Sequence, residues 1–258
     1  MATEIVYGMN PVLELLRAQK RRCHEVFVSA LRNEADAKLV REVAEHAGVT
    51  VKSISKEEIN KISRVEKNQG IAARCDPYQY ADLEDILETA LKDERKGFIV
   101  ILDGITDPQN LGSLVRTASL MGVHGLILPR DNSAQVNPTV VKASAGATEH
   151  QAIVQVTNIS RTITYLKGKG FWTAAAVGES ADSLYLHDFK GYNLAIVLGS
   201  EGHGIRRLIR ERCDYLLSIP MGGPIKSYNV SVAGALFMGE VARQRWVSPH
   251  AKSVPESV

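Results

Sequence analysis

NLAIVLGSEGHGI, residues 193–205, runs from an unbroken apolar segment into a loop that holds glycines at 199, 202 and 204. A strand that is apolar at every position is buried on both faces, which is the habit of parallel sheets covered by helices. Four further segments have comparable character: FIVILDG (98–104), GLILP (125–129), FWTAAAV (171–177) and YLLSIPM (215–221). Helical patterns lie between most of them. The spacing predicts an α/β fold, with an open parallel sheet between layers of helix.

A Rossmann-like sheet with a glycine-rich loop invites a nucleotide-binding reading, which the spacing does not support. Gly199, Gly202 and Gly204 do not make GxGxxG. Gly199 and Gly204 have the GxxxxG interval, but Ile205 and Arg206 follow where a phosphate loop needs Lys and Ser or Thr. GGPIKS (222–227) has its Lys-Ser pair with Ile225 in place of the glycine. Nicotinamide enzymes and nucleoside triphosphatases lose most of their support.

The 258 residues can bury a real core, and 45% hydrophobic with 23% charged residues is ordinary for a soluble globular protein. A formal net charge of +2 neither diagnoses nor excludes a nucleic-acid partner. Cys23, Cys75 and Cys213 are widely spaced and odd in number, which speaks against a disulfide framework or structural zinc and fits a reducing compartment. MATEIVYGMNPVLELLR has no signal-peptide pattern, and no apolar run approaches the ~18 residues of a membrane span. A cytoplasmic protein with no membrane association is expected.

Composition divides the chain. Residues 1–76 form a small α/β module. Residues 77–96, PYQYADLEDILETALKDERK, form an acidic linker, and residues 97–258 form the sheet domain, with a tail from about 247 expected to be flexible. In the module, NPVLELLRAQ predicts a helix capped by Asn10 with Pro11 at its first position. HEVFVSA (24–30) and VTVKSIS (49–55) read as strands, ADAKLVREVAEHAG (35–48) as a helix stopped by Gly48, and NQGIAARCDPYQY (68–80) as strand and exit.

Three stretches carry the candidate chemistry. In DGITDPQNLGSLVRTASLMGVHG (103–125), Asn110 is placed to cap a helix whose apolar stripe is Leu111, Leu114, Val115, Ala118 and Met121, with Arg116 on the opposite side. Taken alone, Arg116 reads as a solvated surface side chain. In the opening stretch, Glu201 follows a buried strand at the carboxyl edge where α/β proteins bind ligands, or else it caps the helix that starts near Ile205. In IPMGGPIKSYNVSVAGALF (219–237), Asn229 can cap a nearly all-apolar helix, which leaves Ser227 and Tyr228 without a structural reason.

Together these stretches resemble the three motifs of the SPOUT RNA methyltransferases, in the TrmH branch of ribose 2′-O-methyltransferases. The likeness covers residues 97 to about 246, and YGMNPVLELL (7–16) with NQGIAAR (68–74) is similar to the substrate-binding domain of RlmB-type enzymes. The resemblance implies S-adenosylmethionine bound in a deep trefoil knot made by loops 198–204 and 219–229, a homodimer, and an L30e/L7Ae-like amino-terminal domain. It implies backbone contacts to the cofactor at Gly199, Ile219 and Tyr228, and an apolar wall of Leu198, Met221 and Val232. It makes Arg116 the leading catalytic residue, with Asn110, Glu201, Ser227 and Asn229 around it.

The implied reaction attacks a sulfonium methyl with a ribose 2′-oxygen and requires no metal. Charge cancels along that path, which a water-poor pocket favours. Arg116 would orient an RNA phosphate and stabilise the developing oxyanion. Cationic clusters that could meet RNA include Arg17, Arg21 and Arg22 in the module, and Arg206 and Arg207 after the second motif. The RlmB-type likeness implies a guanosine of large-subunit (23S) rRNA as substrate. A tRNA ribose, an rRNA ribose conferring antibiotic resistance, and a non-catalytic RNA-binding assembly protein remain alternatives.

Overall fold

The computed structural model describes residues 2–30, 32–225 and 227–246, so the tail expected to be flexible lies outside the described residues. The elements are β1 (Glu4–Tyr7), α1 (Met9–Ala18), β2 (Cys23–Ser29), α2 (Glu34–His46), β3 (Thr50–Ile54), α3 (Lys56–Ser63) and β4 (Ile71–Cys75). They continue with α4 (Leu83–Lys92), β5 (Phe98–Asp103), α5 (Pro108–Leu120), β6 (Gly125–Pro129), α6 (Pro138–Ala143), β7 (Ile153–Val156) and α7 (Ile159–Gly168). Last come β8 (Phe171–Val177), β9 (Asn193–Gly199), α8 (Arg207–Arg210), β10 (Tyr215–Ser218) and α9 (Val230–Trp246). The chain forms two compact units. The first comprises Met1–Tyr80, Thr106–Ser119 and Ala134–Ala152; the second comprises Ala81–Ile105, Leu120–Ser133 and Ile153–Val258.

In the first unit a sheet ordered β1-β4-β2-β3 is antiparallel except for the parallel β2–β3 pair. Its residues alternate between two cores, as the period of a strand requires. Val6, Val26, Val28, Ile71 and Ala73 pack with α1, α2 and Val141 of α6. Tyr7, Phe27 and Ala72 pack on the other face with Ile59 of α3. Helix α2 ends in a Schellman motif: Gly48, at φ +68°, donates its N–H to Glu45, and Val49 donates to Ala44. Helix α1 begins earlier than the sequence predicts. Gly8 occupies the N-cap with no side chain to offer, the Gln69 side chain accepts from Met9 N–H at 3.1 Å, and Asn10 lies inside the helix. Likewise Asp107, not Asn110, caps α5, accepting from Gln109 N–H at 3.1 Å; Asn110 is buried in the first turn.

The second unit holds a parallel sheet ordered β10-β8-β9-β5-β6-β7. Its strands other than β7 fall on the predicted apolar runs, though β10 stops at Ser218. Pro220 has no N–H for a ladder, so the chain leaves the sheet there. The short β7 was not anticipated. The chain lays β6 and β7 on one side of β5, then returns to place β9 and β8 on the other. Ligands bind at the carboxyl ends of strands beside such a reversal.

Arg245 secures the far end of α9. Its guanidinium donates to the carbonyls of Lys96, Gly97, Phe189 and Tyr192, and burial pushes it down to about 10. Among the described residues no helix is long and apolar enough to cross a membrane.

Candidate functional site

A cavity of about 710 Å³ opens at the carboxyl ends of β8, β9 and β10, wholly within the second unit. The end of β8 lines it through Ala176 and Val177, and three further elements form the walls, each for a reason visible in the chain. Strand β9 ends at Leu198 and Gly199 and gives way to the loop 200–205, which forms one wall. Past β10, Ile219 and Met221 form a second, apolar wall. The opening turns of α9 supply the third through Val230, Ala233 and Phe237, while Ser227, Tyr228 and Asn229 stand at its lip.

The loop after β9 folds tightly upon itself. Ser200 and Gly204 exchange backbone hydrogen bonds, N–H to carbonyl, at 3.1 and 2.9 Å. A Cβ on Gly199 would lie 2.2 Å from the carbonyl carbon of Gly204 and 2.4 Å from the Ile205 nitrogen. No side chain fits at 199. The glycine is required by the loop's closure.

Asn229 does two tasks at once. Its side-chain oxygen accepts from Ser231 N–H at 2.9 Å and Val232 N–H at 3.4 Å, capping α9 as predicted. Its amide nitrogen donates to Glu201, and the same Glu201 oxygen accepts from Val230 N–H at 3.3 Å. Glu201 thus reaches the start of α9, a different helix from the one beginning near Ile205. A carboxylate there is favoured by the exposed N–H groups and the positive end of the helix. The pairing ties the glycine-rich loop to the third motif, 28 residues further on.

Of the expected cofactor contacts, Leu198, Gly199, Ile219, Met221 and Tyr228 line this cavity, and so do Glu201, Ser227 and Asn229 from the catalytic set. Val232 does not. It points away from the cavity and is 47% exposed, because α9 turns its Val230, Ala233 and Phe237 side inward. Those three were hidden in a helix apolar on every side, where periodicity marks no face. Arg210 and His203 are also on the lining. Asn110 and Arg116 lie on α5 in the first unit, with Arg116 exposed.

Two of the candidate RNA-binding arginines pair with buried carboxylates. Arg21 is buried, its guanidinium paired bidentately with Glu149 and also with Glu4 and the Asp76 carbonyl, which turns it away from any phosphate at the surface. Arg206 pairs with the buried Asp103 through Nε and Nη2, while its side chain stays 66% exposed. Arg17 pairs with Glu14 and Arg207 with Glu211, both near the surface, and Arg22 is exposed. The cysteines are free thiols. Burial pushes Cys75 and Cys213 up to about 12 and Cys23 up to about 11, so none is an activated nucleophile near neutral pH.

The profile of the SpoU rRNA Methylase family matches residues 97–239, and that for RNA 2′-O ribose methyltransferase substrate binding matches residues 5–81. The chain is 40% identical over 248 residues to the 23S rRNA (guanosine-2′-O-)-methyltransferase RlmB of Salmonella typhimurium, covering 94% of this chain and 99% of that protein. The protein of the same name from Escherichia coli K12 is similar to the same extent. Among solved structures, the SpoU methyltransferase AviRb from Streptomyces viridochromogenes in complex with AdoMet superposes with a TM-score of 0.77 at 21% identity, covering 94% of this chain and 90% of that one. The AdoMet-bound rRNA methyltransferase from Sinorhizobium meliloti gives 0.76 at 21% identity, covering 95% and 88%. At those identities the likeness is one of fold.

Proposed function

The chain belongs to the SpoU rRNA Methylase family, and from that premise we propose that it transfers a methyl group from S-adenosylmethionine to the ribose 2′-hydroxyl of a guanosine in 23S rRNA. The observation that carries the reading is the cavity at the ends of β8, β9 and β10, lined by every candidate site residue of the second and third motifs but Val232. Its volume suits a small-molecule ligand, and its make-up suits this one: apolar side chains for a purine, beside a glycine-rich loop whose backbone a ligand can approach closely. The same reading takes the loops 198–204 and 219–229 as a trefoil knot and the amino-terminal module as an L30e/L7Ae-like domain that holds RNA. Residues 1–76, 77–96 and 97–258 are then substrate-binding domain, linker and catalytic domain. The exposed Val232 and Trp246 on α9 support a homodimer, and a ribosomal substrate supports action in the cytoplasm.

S-adenosylmethionine supplies an electrophilic methyl group on a sulfonium. The chain's own part is to bind, orient and exclude water. Leu198, Ile219, Met221 and Phe237 would hold the apolar part of the cofactor, and the backbone at Gly199, Ile219 and Tyr228 its polar edges. Glu201 keeps Asn229 and the start of α9 in place, and Ser227 stands beside them to position substrate. Arg116 would orient the RNA phosphate and stabilise negative charge on the attacking oxygen.

The test is methyl transfer in vitro, from labelled S-adenosylmethionine to total RNA from a strain lacking the gene, followed by mapping of ribose methylation. A single 2′-O-methylguanosine in 23S rRNA is the expected product. Label in tRNA would move the substrate, and cofactor binding with no transfer to any RNA would leave an assembly protein. Gly199→Ala should reduce transfer about 10²-fold, because the loop must shift by roughly an ångström to admit the methyl group. Wild-type rates in that variant would separate the loop's shape from its work.

A further inference from the structure

Asp103 closes β5 and is only 2% exposed, paired in register with Gly199 of β9. One of its oxygens, Oδ2, accepts from the backbone N–H of Arg206 at 3.0 Å. The other, Oδ1, accepts from Arg206 Nε at 2.8 Å and lies 2.6 Å from Nη2. Both ends of one residue therefore grip one buried carboxylate. Burying an acid is costly unless it is paired and hydrogen-bonded, and this one meets both conditions through Arg206.

The grip falls at a meaningful place. Gly199 and Arg206 are the two feet of the loop whose residues 199–205 line the cavity, while Arg206 is not part of the lining. Between the feet the Ser200–Gly204 bridge and the blocked Cβ position at 199 fix the loop's interior. Asp103 fixes its far foot to the sheet. The loop is thus pinned to two neighbouring strands, β5 and β9, at one level.

We infer that Asp103 and Arg206 are a positioning pair that holds the 199–205 loop in its cofactor-binding shape, and that Arg206 is no part of the RNA footprint. What the loop holds rests on the methyltransferase reading above; the grip itself does not. A pair serving stability alone would loosen the whole sheet when broken, whereas a positioning pair loosens the loop and weakens the ligand.

Asp103→Asn, Arg206→Gln and Arg206→Lys in the full chain test this by three measurements: hydrogen exchange of the 200–206 amides, calorimetric titration with S-adenosylhomocysteine, and 23S rRNA binding across a salt series. Exchange of the loop amides should speed up about tenfold in Asp103→Asn and Arg206→Gln, with strands β5 and β9 unchanged. Affinity for S-adenosylhomocysteine should fall about tenfold, with Arg206→Lys between those variants and the parent, since an ammonium keeps the charge but not the fork. The salt slope for RNA should match the parent's. A slope shallower by about 0.7–0.9 with unchanged loop exchange would make Arg206 a phosphate ligand and overturn the inference. Equal loss of protection in loop and strands would overturn it too, reducing the pair to a structural prop. Should the parent fail to bind S-adenosylhomocysteine while the loop still loosens in the variants, the cofactor reading falls and the grip stands.

Discussion

Glu149→Ala is expected to destabilise the first unit by about 3–5 kcal/mol, because it strands a buried cation. Arg21 and Glu149 are nearly sealed from solvent, with side chains 3% and 2% exposed. Glu149 takes two hydrogen bonds from the guanidinium, at 3.1 and 2.6 Å, and Glu4 takes a third at 2.6 Å. Burial alone would lower the affinity of Arg21 for its proton; the hydrogen bond and charge of Glu149, with the charges of Cys75 and Glu4, together outweigh that and raise it. Glu4 remains when Glu149 is removed, so the loss should fall toward the lower end of the range. The double variant Arg21→Met with Glu149→Leu removes both charges and should recover most of the stability, as apolar replacement of a whole buried pair often does. Hydrogen exchange across β1 and β4 reads the first unit directly, without assuming that the two units unfold together. An exposed pair is the control. Arg17→Ala breaks the contact with Glu14 and should cost no more than about 1 kcal/mol. If Glu149→Ala is no worse than Arg17→Ala, the buried pair contributes little to the unit.

That contrast shows what a linear sequence hides. RRCH (21–24) reads as a charge run, and nothing in it says that Arg21 turns inward while Arg22 faces water; the deciding partner is 128 residues away. Glu201 and Asn229 were both singled out, yet their contact could not be read, because the loop and cap that join them are far apart in the chain. What could be read was local. The strands β6, β8 and β9 are continuous apolar runs wide enough to register as buried elements, and their ends coincide with the sequence's own limits. Strands β1 and β7 are four residues long, too short for a period to show, and neither sits in a longer apolar run such as the 215–221 segment that marks the equally short β10. Helix α3 did carry a signal that was passed over. Ser55 and Glu58 form a capping box, with the side chain of each accepting from the other's backbone. It followed directly on a strand-like run, and the alternation masked the cap.

Arg116→Ala is expected to reduce the rate of methyl transfer by about 10²–10³-fold while leaving stability almost unchanged. The helix that carries Arg116 is fixed without it. Leu111, Leu114, Val115 and Ala118 form its fully buried stripe, and at Gly112 it meets α6 so closely that an added Cβ would lie 2.4 Å from that of Ala143. Arg116 is exposed on the other side and contributes nothing to that packing, so its loss should touch chemistry alone. The form of the loss distinguishes two roles. A guanidinium holds its proton at any working pH and presents several donors in a planar fork, which suits charge stabilisation and not proton removal. Arg116→Lys keeps the charge and loses the fork, so its rate should lie between parent and alanine at every pH, with a profile of unchanged shape. If the side chain instead takes the proton from the 2′-hydroxyl, lysine parts with its own proton more readily, and the rise in rate with pH should move to lower pH. A profile displaced in that way would make Arg116 the base; a uniformly lowered one leaves proton removal to another group or to solvent, with the arginine holding the phosphate and the growing negative charge.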